Sequence, residues 1–558
     1  MTEQQNSESS APLRPSGKVA PIGGQVVPGT MPIVEDASAQ SVDAVKEPSV
    51  LVAQVAQVAE AKPTSWKWKH PEPSDPPPLD QRWVNEVDGY FRAKNVDNSC
   101  RFMGAAVRGR SHKQDGSYCD DSFRFADVGA WKIIVASDGA GSAKLSRFGS
   151  HIAVKAVRDN LKVTLEGIDL EKFLISEHLF SPKDEPSDIE QRLRSAMATA
   201  FTSAVEKIKD WVESENALPE SDYRNYVDRV IREEASDFER INAVTSGQSI
   251  KILLKDCNCT LLVAASTDVI MVKADKTRVR VKLVVSCSVG DGMLVVFTRE
   301  ESQGSRAIQL MQPDVGQYAG ETQFLTTSDM SFDKVSKRVR IDAPGAAENI
   351  IAVLAMTDGV ADDYYEGVQG MERLYCDLVF NGIIPVVLPA QSVDSFRAEC
   401  NKILIDNSEV AAAELSKLQS QPQDGMSNAI KFTTNKNIKQ LKEKSQIRSL
   451  ADLLVQEPVL AAKRDGADQS FRSIKYASRF LAALGKTEKQ ALGNPILLAT
   501  VVASGPPLVP TSTSSGGSLN TECKVVAERL RNWLDGYIVR GSFDDRSLVM
   551  MHFTGDAP

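Results

Sequence analysis

Three times in this chain of 558 residues a run of apolar, mostly β-branched residues ends in an Asp-Gly pair. The runs are Lys132-Ile-Ile-Val-Ala-Ser-Asp138-Gly139, Ser286-Cys-Ser-Val-Gly-Asp291-Gly292 and Ile350-Ile-Ala-Val-Leu-Ala-Met-Thr-Asp358-Gly359. Short apolar runs of this kind read as buried strands, so each aspartate stands at a strand end. The glycine behind each carboxylate lets the backbone turn sharply and lets a carbonyl or solvent come close, which suits a hard cation held by oxygen. A single Asp-Gly pair is also a common hairpin turn. Three of them at strand ends point to carboxylates converging on a metal site.

The surroundings of these pairs add to the pattern. The first extends to Ser137-Asp138-Gly139-Ala140-Gly141-Ser142 and opens a helix with apolar residues at Phe148, Ile152, Ala156 and Leu161. The third continues through Val360-Ala361 to Asp362. Near the end of the chain Asp544-Asp545 precedes an apolar strand running to Met551, and early in the chain Asp120-Asp121 follows Ser111-His112-Lys113.

Taken in order, these segments resemble the PPM family of metal-dependent serine/threonine protein phosphatases, also called protein phosphatase 2C, in its bacterial form. The family pattern is an early acidic pair, an Asp-Gly strand end, a small-residue strand (here Cys257-Asn-Cys-Thr260-Leu-Leu-Val-Ala264), a Gly-Asp-Gly turn, a second Asp-Gly with an aspartate following closely, and a terminal acidic pair before a strand. The stretch Gly320-Glu-Thr-Gln-Phe-Leu-Thr326 is also similar to a segment of bacterial members. The resemblance covers roughly residues 100 to 555 and implies an α+β fold of two packed antiparallel β-sheets flanked by helices, with a large, mostly helical insertion at about 390–525.

It also implies roles for residues. Asp138 matches the aspartate that bridges two Mn2+ or Mg2+ ions, with the Gly139 carbonyl contributing, and Asp358 and Asp544 match carboxylates on one ion. Asp120 falls at the position serving the other ion, directly or through water, with Asp121 supporting it, while Asp291 and Asp362 fall where a third, weaker ion binds. Arg108, Arg110 and His112 are the candidates for the substrate phosphate, since arginine offers a two-pronged fork to phosphate oxygens. Ala140 stands where many eukaryotic members carry a histidine that protonates the leaving group, which leaves that task to water. The implied activity is hydrolysis of phosphoserine and phosphothreonine by a metal-activated water, opposing a serine/threonine kinase. Two other readings stay open: a pseudophosphatase that binds partners, and a metal-dependent hydrolase of small phosphate esters.

Composition limits the alternatives. A formal net charge of -9 gives no electrostatic reason to expect nucleic acid or an anionic membrane as partner. No apolar run approaches the ~20 residues needed to cross a bilayer, and the N-terminus lacks the pattern of a signal peptide, so a cytoplasmic protein is expected. The 8 cysteines are too few for a disulfide scaffold in so long a chain and fall mostly in apolar segments, so free buried thiols are expected. Cys257 and Cys259 would share a face on a strand, but no further pair or histidine cluster completes a zinc ligand set.

Residues 1–78, rich in Pro, Ser, Gln, Ala and Val and ending in Pro76-Pro77-Pro78, read as a disordered arm, with Trp66, Trp68 and Trp83 in or beside it. The resemblance implies that residues 79–558 are the phosphatase domain. Within it Ser187-Asp-Ile-Glu190 is a capping box for a long helix whose apolar face runs through Ile189, Leu193, Met197, Phe201, Val205, Ile208 and Val212. The insertion carries a helical pattern from Ser470-Phe471 to Leu484, a basic run from Lys431 to Lys444, and a Ser/Gly/Thr-rich loop at 511–519. Its acidic cluster Asp465-Gly466-Ala467-Asp468 has no apolar strand behind it and ranks far below Asp544 as a metal site.

Overall fold

The computed structural model describes residues 89–554, apart from 177–186, 218–250, 315–321, 453–459, 472–518, 537–543 and gaps of five residues or fewer. The expected arm, its tryptophans and the Asp465-Gly466 pair lie outside the described residues.

In chain order, strands β1 (Gly89–Val96) and β2 (Cys100–Val107) form a hairpin that leads to the short helix α1 (Arg110–Asp115). A second hairpin, β3 (Ser122–Val128) with β4 (Trp131–Ser137), leads to α2 (Ser146–Glu166), the two-residue β5 (Ile175–Ser176) and α3 (Asp188–Ala217). The long ladder of β6 (Leu261–Val272) and β7 (Arg278–Val289) precedes β8 (Met293–Ser302), β9 (Ser305–Gln309) and α4 (Phe332–Arg338). Then come β10 (Arg340–Asp342), β11 (Ile350–Met356), the single turn α5 (Asp358–Ala361) and α6 (Val368–Phe380). Helices α7 (Ala390–Gln419) and α8 (Asn428–Ser445), the hairpin of β12 (Leu460–Arg464) and β13 (Ala467–Phe471), and α9 (Leu519–Gly536) precede the last strand, β14 (Arg546–Phe553).

One sheet has the strand order β1-β2-β14-β11-β8-β9 and the other β10-β7-β6-β4-β3, all antiparallel, with β5 added parallel to β6. The alternation of side chains along a strand assigns them to separate layers. In β4, Ile134 and Ala136 join Val353 of β11 and Val549 of β14 in a core between the sheets. Ile133 and Val135 turn the other way, onto Phe148 of α2 and Phe201 of α3. On the far side of the first sheet, Leu354 and Met356 meet Leu374 of α6 and Trp533 of α9. Two sheets with helices over both outer faces cover each central strand twice, which is why these strands read as continuous apolar runs rather than as an alternation.

Helix α3 follows its sequence pattern closely. The Glu190 N–H donates to Ser187 Oγ at 3.3 Å, and Ile189, Leu193, Met197, Phe201, Ile208 and Val212 are buried, with Val205 at the margin. Each large apolar side chain fully buried in this way contributes about 1.5–3 kcal/mol. Two expectations are corrected. Cys257 ends a 3-10 turn at Leu254–Cys257, β6 begins only at Leu261, and Cys259 makes an isolated bridge to Gly139, so the two thiols are not neighbours on a strand face. Ser470 and Phe471 belong to β13 and not to a helix, because they pair with Leu460 and Ala461; the rest of that segment lies outside the described residues. All eight cysteines are free thiols. Among the described residues, no helix is long and apolar enough to cross a membrane.

Candidate metal centre

The three Asp-Gly turns meet. Asp138 follows the end of β4, Asp291 sits in the turn between β7 and β8, and Asp358 opens α5 directly after β11. One carboxylate oxygen from each lies within 4.8 Å of the other two. The turns before and after these aspartates are shaped for close packing. Gly290, immediately before Asp291, has φ of 111°, a region open to glycine and strained for other residues. A Cβ on Gly359 would lie 2.0 Å from the carbonyl oxygen of Asp545, so the turn holding Asp358 and the turn holding Asp544 can only come together over a glycine.

Side chains from other elements hold the backbone of Asp138 and the carboxylates of Asp121 and Asp291. The Asp138 N–H donates to Thr260 Oγ1 at 2.9 Å, and the Thr260 N–H returns a bond to the Asp138 carbonyl at 2.8 Å. Thr357 Oγ1 donates to Asp121 Oδ2 at 2.8 Å and accepts from the Ser547 N–H at 2.9 Å, tying β11, β14 and the early acidic pair together. Thr322, in the stretch similar to bacterial members, donates its hydroxyl to Asp291 Oδ2. None of these threonines was singled out as a site residue from sequence. The visible signal was their position, one beside an Asp-Gly pair and one at the head of a small-residue strand.

The early acidic pair splits. Asp121 turns inward, next to Asp138. The Asp120 carboxylate faces the start of α2, where Ser146 Oγ donates to it at 2.9 Å, and His112 Nε2 stands 3.8 Å away. Position on a strand end could not tell which of two adjacent carboxylates points in, since neighbours along an extended chain face opposite sides. Asp545, beside the predicted Asp544, is fully buried and accepts from the backbone N–H groups of Gly109 and Asp120 while His112 Nδ1 lies 2.8 Å from it. It therefore staples the segment carrying Arg108, Arg110 and His112 to the acidic turn. Of that segment, Arg108 is buried, Arg110 is exposed at the start of α1, and His112 is half-buried. Arg147, a cation that sequence reasoning passed over, stacks on the Tyr118 ring at 4.7 Å and lowers the energy of charge on Asp120.

The electrostatics divide the site in two. Burial, then Asp121 and Asp358, push the Asp138 carboxyl well above the usual range, and every dominant influence on it disfavours the charged form. Asp358 is raised to about 7 by burial and then by Asp291, Asp544 and Asp362. Asp362 and Asp544 are raised too, by burial first and then by neighbouring carboxylates. On the other side, burial would lower His112, but the hydrogen bond and charge of Asp545 outweigh it and raise the imidazole to about 10. Burial would likewise raise Asp545, and His112 with the two backbone donors outweighs it and holds the carboxyl low. The inner aspartates are thus a set of hard oxygen donors with excess negative charge, which fits Mg2+ or Mn2+ and does not fit a softer, nitrogen- or sulfur-seeking metal.

Residues 108–381 match the family model of protein phosphatase 2C. No curated protein matches it by sequence. Among solved structures, it is similar to the serine-threonine phosphatase 2C from Toxoplasma gondii at 10% identity, over 51% of this chain and 88% of that one, with a TM-score of 0.25. RsbX in complex with magnesium is similar at 10% identity over 49% of this chain and 79% of that one, TM-score 0.23. The PP2C phosphatase domain with a regulatory fragment of SpoIIE from Bacillus subtilis is similar at 10% identity over 85% and 72%, TM-score 0.21. Likenesses this distant add nothing about the chemistry.

Proposed function

We propose that this chain is a metal-dependent protein phosphatase of bacterial type, hydrolysing phosphoserine and phosphothreonine in protein substrates and opposing a serine/threonine kinase in the cytoplasm. The observation that carries this reading is the convergence of Asp138, Asp291 and Asp358 from three separate strand ends. A cluster of carboxylates that repel one another costs stability, and an ion-binding role accounts for keeping it. Asp138, Asp291 and Asp358, with Asp544 and Asp362 beside them and the Gly139 carbonyl, would hold the metal. Bound Mg2+ or Mn2+ ions supply charge neutralisation for the phosphate and a water of lowered pKa.

The remaining work belongs to the chain. Asp121, held by Thr357, fixes the direction of Asp138. The segment after β2 brings Arg108, Arg110 and His112 to the same end of the molecule through the Asp545 staple, so positive charge stands beside the acidic set where a phosphate dianion would lie. Asp120 shares the His112 charge from the α2 side.

Turnover of a phosphothreonine peptide and of 4-nitrophenyl phosphate, measured after chelation and after adding back single metals, tests the reading. Activity is expected to vanish in EDTA and to return with Mn2+ or Mg2+ but not with Zn2+. Full activity in EDTA would sink the mechanism. No turnover with any metal would favour a partner-binding pseudophosphatase, and turnover of small esters alone would favour a small-ester hydrolase.

A further inference from the structure

The guanidinium of Arg338, the last residue of α4, joins two segments that meet at Asp291. Its Nη1 donates to Asp314 Oδ2 at 2.6 Å and to the Ser288 carbonyl at 3.3 Å, and its Nη2 donates to Gln323 Oε1 at 2.7 Å. Asp314 passes this hold to the turn between β7 and β8. Its Oδ2 also accepts from the Gly290 N–H at 3.1 Å, and its own N–H donates to the Gly290 carbonyl at 2.9 Å. Gly290 is thereby gripped at both backbone polar groups, in the positive-φ conformation that sets the chain direction just before Asp291.

Gln323 passes the hold to the other side. It is the neighbour of Thr322, whose hydroxyl donates to Asp291 Oδ2. Further along the same stretch, the Leu325 N–H donates to the Cys259 carbonyl at 2.8 Å and Thr326 Oγ1 donates to Asn258 Oδ1. Residues 322–326 therefore form a strap from the Asp291 carboxylate to the segment whose Thr260 holds Asp138.

Stability does not account for this arrangement. The Arg338 and Asp314 side chains are 27% and 21% exposed, and an ion pair this open to water contributes little. The fork does account for it, because a planar guanidinium donates in two fixed directions where a lysine offers only a point charge.

We propose that Arg338 is a positioning residue for the metal centre, holding the Asp291 turn through Asp314 and Ser288 and the Asp291 carboxylate through Gln323 and Thr322. The inference rests on the phosphatase reading. It also carries a sign of its own. By charge alone, losing a cation near a cation site strengthens metal binding, whereas losing a positioning group weakens it.

Calorimetric titration of Mn2+ into the metal-free full chain tests this. Arg338→Gln should bind Mn2+ more weakly by about 10–100-fold, the usual effect of a group standing behind a metal ligand, while its metal-free melting temperature stays with the parent's. Thr322→Val, which removes the hydroxyl on Asp291, should act in the same direction. The double variant should lose less than the product of the two single factors, since both changes loosen one carboxylate. Arg338→Lys keeps the charge and loses the fork, so it should weaken binding too, and if Arg338→Gln does not fold it decides alone. Mn2+ affinity unchanged or increased in the Arg338 variants, a full product in the double variant, or a loss confined to variants that also melt lower without metal would each overturn the proposal. A parent chain that takes up no Mn2+ would sink the phosphatase reading and this inference together, whereas uptake by the parent with Arg338→Gln unchanged sinks this inference alone.

Discussion

Replacing Asp138 with asparagine removes one negative charge from a buried group that already pushes it toward protonation. Metal-free Asp138→Asn protein should therefore melt no lower than the parent, and a rise is the expected direction. Its phosphatase turnover should fall by more than about a hundredfold, beyond the 10–100-fold typical of groups that merely support a metal ligand. Near-parental turnover in this variant would move the catalytic centre elsewhere. At the same scale the glycine after Asp358 does what the sequence suggests, letting a carbonyl approach. The carbonyl is that of Asp545 in a second acidic turn, which no local reading of residues 350–362 contains.

Helix α3 is the element whose role the sequence made plainest, and the structure gives it none in the chemistry. Its stripe packs on α2 and on the outer face of one sheet. Phe201→Ala should accordingly cost about 3–5 kcal/mol in urea unfolding while leaving turnover per folded molecule unchanged below the transition. A selective loss of turnover with little loss of stability would mean that the helix reaches the site. Strand ends behave in the opposite way. Where β4 and β11 stop was readable from their apolar runs, but Thr260, which holds the backbone of Asp138, and Thr357, which holds the Asp121 carboxylate, act across strands that are far apart in sequence. The same holds for the insertion, whose basic run proved to be helix α8, while the segment beginning at Ser470 opens in the hairpin of β12 and β13.

For the molecule as a whole, the acidic cluster sets a dependence of stability on pH. Asp358, raised to about 7 from an unfolded value of 3.8, binds more protons folded than unfolded between those values. Stability from this group is full below the lower value and is lost as pH rises through the upper one. His112, raised to about 10, adds a loss in the same direction above its ordinary 6.5. Metal-free protein should thus melt lower at about pH 7.5 than at about pH 5 by scanning calorimetry, and Mn2+ should raise the melting temperature more at the higher pH, because cations bind the ionised set. An equal metal-induced rise at both pH values would contradict the cluster's role in binding.

The sequence by itself determined which segments are central strands, where three aspartates stand, and the cap and stripe of α3, because each of these follows from local periodicity and the chemistry of adjacent residues. The order of its acidic pairs also carried the family resemblance, and that resemblance implied two packed antiparallel sheets flanked by helices. The tertiary structure alone decided that Asp121 rather than Asp120 turns toward Asp138, and that buried Asp545 staples His112 and two backbone N–H groups to the acidic turn. The physical reason is that a carboxylate's direction and charge state depend on what is packed around it. Those neighbours come from strands hundreds of residues apart, brought together only when both sheets close over their shared core.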